Sequence, residues 1–512
     1  MARFAVALLL LLCHTARADE WTKEAGARVA EGNVPFVFQL DDGTFRLFCC
    51  SGSGIGSAIS KDGLNFTIEA GVRLAGTGRA GDPESIVCDP SMVRLPDGRY
   101  RLYYKGSDGP GGPGQAVHRV YSAVSADGLN FTREGLRLES KDTVDNGWAS
   151  VPEVVRTFDG RYRMYYVSNG PPERTGLVSA VSDDGLNFTR EPGVRMPGPA
   201  DAATARLPWV DPAVVRLPSG QYWLFGLVNV LPPASGVPGI YSAHSADGLN
   251  FVADPGPLVT SPGTQTDTFD PTVIGIGENR FRMYYGSNAS GPPLTLSAVG
   301  TEAPNAGFGV AAARSAADSS ALDIAPDSLV TIYGQRLATG TATASLAADG
   351  HLPKELAGTR VSVNGLAAEL AFARADQINL VLPSDIKDGP AQLIITAGDG
   401  RISTALATAT RVAARLFTPV VDARSFQPGP FRMSADPLLL TVFCTGLRNA
   451  GDVKVRVGEQ NVAVLYAGRQ PTFPGLDQIN VLLPADFPVR GKLPVCVSAG
   501  GRDSNCLAVE LQ

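Results

Sequence analysis

Histidine is scarce in this chain. Only four are present among 512 residues. The three outside the N-terminal stretch, His118, His244 and His351, show no ligand spacing, which argues against a zinc centre. Excess positive charge is lacking too, with 44 basic residues against 50 acidic ones and a net charge of −6. That balance does not suggest a nucleic acid or an anionic membrane surface as partner. Beyond the first eighteen residues no apolar run is long enough to cross a bilayer. No long stretch shows the 3.6-residue periodicity of an amphipathic helix. What the chain does have is 57 glycines and 38 prolines, the composition of a turn-rich, all-β protein.

The N-terminus carries Arg3, an apolar stretch from Phe4 to Cys13, and Ala16-Arg17-Ala18 as a small-x-small site. This is the pattern of a signal peptide over residues 1–18, so a secreted or cell-surface protein is expected. Its removal takes away Arg3 and Arg17 and makes the chain more acidic. In an oxidising compartment Cys496 and Cys506, which flank a hairpin-like segment, are expected to form a disulfide. Cys49, Cys50 and Cys88 lie close together in the repeat described next; either one pair bridges or they stay as buried thiols.

Two motifs recur. One reads Ser60-Lys-Asp-Gly-Leu-Asn-Phe66 and returns at Ser125–Phe131, Ser182–Phe188 and Ser245–Phe251. The other opens on a proline, at Pro35, Pro90, Pro152, Pro212 and Pro271, in steps of 55, 62, 60 and 59 residues. Each proline starts an apolar strand, a tight turn follows, and a strand such as Tyr100-Arg-Leu-Tyr-Tyr104 comes after it. Asp-Gly between apolar runs is a hairpin signal because glycine adopts positive φ without strain. Four-stranded units in radial repetition make a β-propeller, and five copies imply five blades over residues 19–301. The fifth copy lacks its own Ser-x-Asp-Gly motif. Trp21–Val29 matches Phe66–Leu74 almost residue for residue, so the N-terminal strand is expected to complete the last blade and close the ring. The Ser-x-Asp-Gly-x-x-Phe motif is read as structural, and its Asn-Phe-Thr sequons as hairpin chemistry.

After residue 301 these motifs stop. Residues 302–325 read as an Ala/Ser-rich linker. Asp376-Gln-Ile-Asn-Leu-Val-Leu-Pro383 then returns 101 residues later as Asp477-Gln-Ile-Asn-Val-Leu-Leu-Pro484. Short alternating strands at this spacing suggest two β-sandwich modules, residues 326–416 and 417–512. This part resembles the Solibacter-type C-terminal domains of secreted bacterial proteins and, in style, Ig-like TIG modules. The resemblance implies a spacer or display role. Asp376 and Asp477 are expected to bond local backbone rather than a ligand.

Asp89, Asp211 and Asp270 occupy one aligned position on three innermost strands, and Glu153, two places after Val151, is expected to reach the same channel mouth. Convergent carboxylates suit glycoside hydrolysis, which needs an acid for the leaving oxygen and a carboxylate to activate water or attack carbon. Asp-Pro at a strand start also closes turns, so repeat grammar is a second reading. At these residues the chain resembles the five-bladed propellers of the arabinanase/levansucrase/invertase superfamily, across about residues 21–301. The resemblance implies Glu153 as general acid, Asp89 as its tuning partner, and Asp211 or Asp270 as base. The family's blade-one aspartate is missing: Val34 stands there, beside Asn33. Trp148 and Trp209 are expected to offer faces to a sugar ring and Lys105 to meet an anionic group, whereas Tyr104 and Tyr166 are expected to pack between blades. Such channels can hold calcium, but no dedicated calcium loop is present, so no cofactor is expected. The implied partner is an oligo- or polysaccharide, met by a monomer that either cleaves it or binds it without turnover, or else a protein at the cell surface.

Overall fold

The computed structural model describes residues 21–30, 32–52, 54–141, 144–171, 174–196, 209–228, 237–261, 267–289, 291–302 and 307–512. The expected signal peptide lies outside them. All regular structure in the described residues is β, apart from one turn of other type at Arg174.

Residues 21–300 form five antiparallel sheets, each built on a four-strand path. Their innermost strands are Asn33–Gln39, Ile86–Arg94, Ala149–Arg156, Trp209–Arg216 and Phe269–Gly277. Each lies against the next, and the last lies against the first, so the sheets stand in a ring as a propeller. Tyr103, Tyr104, Tyr165, Tyr166, Tyr284 and Phe225 are fully buried on the second strands, and each such ring removes about 150–250 Å² from water. Tyr104 and Tyr166 therefore pack as expected.

The ring closes through the N-terminus. Thr22–Lys23 pairs with Val299 and Ala298 of the fifth sheet. The Trp21 indole lies flat over Gly300, where a Cβ would sit 2.4 Å from it. Glu24 then does what Glu69 does in the first sheet: Arg282 Nε donates to Glu24 at 2.8 Å, as Arg46 Nε donates to Glu69 at 2.9 Å.

The Asp-Gly hairpins are the couplers between sheets. Within one, Asp62 Oδ1 accepts the amides of Leu64 and Asn65, both at 2.8 Å, and Asn65 Nδ2 donates to Asp62 Oδ2 at 2.8 Å. These donors hold the Asp62, Asp127 and Asp184 carboxyls well below the usual range. The backbone of each hairpin is taken by the preceding sheet. Arg46, Arg101, Arg163 and Arg282 donate to the carbonyls of Asp127, Asp184, Asp247 and Asp62. The fifth sheet has no such hairpin, and at the matching position the fourth sheet carries Trp223 instead of arginine. Trp223 meets Trp21 edge-on at 5.8 Å, so an apolar contact replaces the missing carbonyl.

The C-terminal part holds two further cores. In the first, one sheet containing Thr359–Val363, Gly389–Thr396 and Ile402–Ala409 closes over another containing Leu329–Tyr333, Glu369–Arg374 and Gln377–Val381. Val330, Ile332, Val363, Leu370, Leu380 and Leu393 are fully buried between them. The second core, around Leu440, Val442, Val457, Ile479 and Val481, repeats the pattern: Asp477–Leu483 pairs with Leu438–Thr445 as Gln377–Val381 pairs with Leu329–Tyr333. Asp477 accepts from the Leu447 amide and Arg448 Nε, both at 3.0 Å, and Asp376 pairs with Arg374 at 2.6 Å. Neither takes the local backbone expected of it: Asp376 meets a side chain two residues away, and Asp477 reaches an amide and an arginine about thirty residues back, brought beside it by the strand pairing.

Residues 302–325 do not behave as a free linker. Phe308–Val310 pairs with Ile402–Ala409, Ala312–Ser315 with Leu329–Tyr333, and Asp323–Ile324 with Thr408 and Ala409. Alanine and serine are small enough to be covered there, which composition alone reads as loop. Thr404 Oγ1 donates to Ser219 O at 2.6 Å and Gln221 Nε2 to Gly309 O at 3.1 Å; buried Gln392 donates to the Gly220 and Ala246 carbonyls. These contacts dock the first C-terminal unit on the fourth sheet.

Removing a buried partner strands the other charge, at about 3–5 kcal/mol, whereas exposed pairs contribute at most about 1 kcal/mol. Arg101→Met, which unpairs Glu134 and the Asp184 carbonyl, is expected to lower denaturant stability of the propeller by that larger amount. Arg336→Met, which breaks an exposed pair with Asp399, should leave it within about 1 kcal/mol.

Candidate functional site

Every innermost strand begins with the same backbone device. Val34, Asp89, Val151, Asp211 and Asp270, each followed by proline, have φ of 54°, 52°, 50°, 55° and 44°. This left-handed conformation is costly for any residue with a Cβ, on the order of 1–3 kcal/mol, and most for β-branched valine. A bulge accompanies it each time, with register shifts between Asn33 and Phe36, Cys88 and Ser91, Ser150 and Glu153, Val210 and Ala213, and Phe269 and Thr272. The side chains that result line one cavity on the ring axis. Its volume is about 20 Å³, bounded by Val34, Asp89, Val151, Asp211, Asp270, the five prolines, Phe36 and Glu153.

The four expected carboxylates are thus together, but not equivalent. Asp89, Asp211 and Asp270 form the first layer. Glu153 lies two residues further along its strand and is held from both sides: Ser91 Oγ donates to its Oε2 at 2.9 Å and the Val214 amide to its Oε1 at 3.3 Å. Ser91 Oγ itself accepts the Val154 amide at 2.9 Å. Glu153 therefore sits below the mouth rather than at it, because the bulge offsets its side chain from the first layer.

Charge is unevenly compensated. Lys105 Nζ lies 2.9 Å from Asp89 Oδ2, so Lys105 is spent on an internal partner rather than offered to an anionic ligand. Asp211 and Asp270 are adjacent, with the Asp270 amide donating to Asp211 Oδ2 at 3.3 Å. Burial, and then the charges of Asp211 and Asp89, push the Asp270 carboxyl well above the usual range. Asp211 is raised by burial and by Asp89. Two carboxyls this close titrate as a pair that holds one proton tightly. Burial raises Glu153 to about 7, against the pull of its two hydrogen bonds.

One neighbour of the Lys105–Asp89 pair was not foreseen. His118 stacks on Trp148 with ring centroids 3.7 Å apart and an interplanar angle of 24°. Its Nδ1 is 2.9 Å from Ser150 Oγ. Burial, and then the nearby Lys105 charge, push His118 down to about 3, so it is neutral at physiological pH. Trp148 is half-buried and one of its faces is taken by His118. Trp209 is buried in the core, edge-on to Tyr241 at 6.4 Å and seated over Gly226. It begins its strand instead of preceding it, so its indole faces packing and offers nothing to a ligand.

Two disulfides are present, Cys50–Cys88 and Cys496–Cys506; Cys49 and Cys444 are buried thiols. Cys50 Sγ also accepts the Asp89 amide at 3.3 Å, which ties the first sheet to the strained start of the second. Among the described residues the one group of metal-type donors within reach of each other is Cys50, Cys88 and Asp89. Its sulfurs are bonded to each other, so the donor set does not fit calcium or zinc.

No family model and no curated protein matches this chain. Solved structures do. One titled glycoside hydrolase is 17% identical at a TM-score of 0.45, covering 56% of this chain and 94% of its own. An endo-arabinase from Bacteroides thetaiotaomicron is 15% identical at 0.42, covering 55% and 99%. A GH43 endo-arabinanase from Bacillus licheniformis is 13% identical at 0.41, covering 56% and 98%. Likeness this distant carries nothing about chemistry.

A buried carboxyl with a raised proton affinity stabilises the folded state when protonated. Its contribution is complete below the unfolded value near 4.5 and is lost as pH rises through about 7 for Glu153. Denaturation at pH 5 and pH 8 should show a loss of about 2 kcal/mol from this source. Glu153→Gln should flatten that slope even if it lowers stability at both pH values.

Proposed function

We propose that this is an exported, glycoside hydrolase-like five-bladed propeller that recognises an oligo- or polysaccharide at its channel mouth and binds it without cleaving it. Two Ig-like modules, of which the first is docked on blade four, carry the propeller as a monomer. The observation that carries this reading is the size and layering of the axial cavity. About 20 Å³ holds one water-sized group, far below the roughly 300–1,000 Å³ of ligand pockets. A general acid must come within hydrogen-bond reach of the oxygen it protonates. Glu153 lies under the first layer with both oxygens engaged, and Val34 and Val151 occupy ring positions that would otherwise add carboxylates. A sugar ring therefore rests above the cavity, on the wall formed by Trp148, His118 and the Lys105–Asp89 pair, where an aromatic face and paired charges suit hydroxyl groups.

Hydrolysis is the second reading, and one observation favours it. Glu153 near 7 beside the Asp211–Asp270 pair is the kind of proton-affinity spread that separates an acid from a base.

Incubation of the full chain with a panel of polysaccharides separates the two. The expected result is saturable binding to one glycan class with no release of reducing ends, weakened about five- to tenfold by Trp148→Ala. Product release that disappears in Glu153→Gln would instead establish the hydrolase.

A further inference from the structure

Four of the five sheets carry a cation in the same place. Arg46, Arg101, Arg163 and Arg282 stand on second strands, opposite Ile59, Val124, Val181 and Val299 on third strands. Each arginine meets a glutamate. That glutamate also accepts a serine hydroxyl from the third strand, as Ser57 Oγ donates to Glu69 at 2.7 Å. The fourth sheet departs at three positions together. Trp223 replaces the arginine, His244 replaces the apolar residue opposite it, and Asp254 replaces the glutamate. Ser242 Oγ still donates to Asp254, at 2.6 Å. The cation has moved from the second strand to the third, and it is now a side chain that can lose its charge.

His244 also sits where the chain leaves the ring. Glu302 stands two residues past the last propeller strand, Leu294–Gly300, and Phe308 opens the first strand of the C-terminal part. The buried His244 ring stacks on Trp223 with centroids 5.4 Å apart and lies 6.1 Å from the Phe308 ring. Its Nδ1 is 2.9 Å from Asp254 Oδ1, and its Nε2 is 3.4 Å from Glu302 Oε1. A neutral imidazole has one N–H and one bare nitrogen. Between two carboxylates it satisfies one and repels the other, so only the imidazolium suits both. Burial pulls the ring toward its neutral form, but Asp254 and then Glu302 outweigh burial and raise His244 to about 9. Glu302 is the looser partner. Nε2 makes no well-aligned hydrogen bond to it, whereas Asp254 is held by Ser242 as well.

We propose that His244 is a proton-operated latch: charged, it holds Glu302 and the exit of the chain on the fourth sheet, and on losing its proton it releases Glu302 and loosens the docked C-terminal unit. Folding raises the proton affinity of this ring. The latch's contribution is therefore complete below the unfolded value near 6.5 and is lost as pH rises through about 9. It is closed at neutral pH and opens in alkaline surroundings. The inference goes beyond the channel site and does not depend on it.

The test follows the histidine ring carbons of the full chain by NMR from about pH 6 to about pH 10. Hydrogen exchange, corrected for the intrinsic rate at each pH, is measured over the same range. His244→Gln assigns the resonance. Glu302→Gln removes one carboxylate from a half-buried position and keeps the test valid if His244→Gln does not fold. The expected midpoint for His244 is about 9 in the unaltered chain, and about one pH unit lower in Glu302→Gln. Protection of residues 217–223 and 307–311, which meet across the joint, falls about tenfold through that midpoint. Protection of Tyr100–Ser107 in the second sheet stays constant. A midpoint at or below 6.5, a midpoint that Glu302→Gln leaves in place, or joint protection that is constant through the titration would overturn the proposal. An equal fall in the second sheet would mark general alkaline unfolding and overturn it as well.

Discussion

The left-handed residue ahead of each proline is the constraint on which this molecule turns. Five times the chain accepts a conformation that costs on the order of 1–3 kcal/mol, and twice it does so with valine. The bulge that goes with it points one side chain per sheet at the ring axis. Such strain persists only where the surroundings over-determine it. Here they do: the next residue along is proline, the second strand pairs on both sides of the bulge, and in the second sheet Cys50 Sγ takes the Asp89 amide. Aspartate at three of these five positions is what brings the carboxyls together. The same geometry at Val34 and Val151 shows that the device belongs to the fold and that chemistry is an addition to it.

Its electrostatic consequence follows from crowding. Among the described residues one cation, Lys105, reaches the ring and pairs with Asp89. Asp211 and Asp270 feel Lys105 only weakly, so burial and the repulsion of the neighbouring aspartates favour their protonated forms, and burial alone does so for Glu153. A site in this state accepts hydroxyl-rich, uncharged groups more readily than anions. Charge elsewhere is arranged oppositely. The Arg–Glu pairs between strands and the aspartates in the hairpins have full sets of partners, which is why they serve the ring and not the ligand.

Much of this was legible in the residues. The closing strand could be read because Trp21–Val29 repeats Phe66–Leu74, and the match extends to function: Glu24 takes Arg282 just as Glu69 takes Arg46. The Ser-x-Asp-Gly hairpins and the Cys496–Cys506 bridge were equally readable, because each depends on neighbours close in sequence or on a repeat. What depended on the pleat was not. Glu153 aligns two places from Val151, and only the bulge decides that it lies a layer deeper. Trp209 looks like a free aromatic ahead of Pro212 until the strand is seen to begin at Trp209 itself. His118 was set aside for lack of ligand spacing, yet its place is fixed by Trp148 and Ser150 in the next sheet. The strands within residues 302–325 were hidden by alanine and serine, which carry little β signal of their own.

The account stands on the carboxyls of the ring being close, desolvated and short of positive charge. Site-resolved carbon NMR titration of the aspartate and glutamate carboxyls measures this directly, with Asp211→Asn as the assignment control. The expected outcome is that the Asp211–Asp270 pair releases its last proton well above the ordinary aspartate range and that Asp211→Asn returns Asp270 toward it. If all the ring carboxyls titrate near 4, with no coupling between Asp211 and Asp270, the cavity is open and hydrated and the account is wrong.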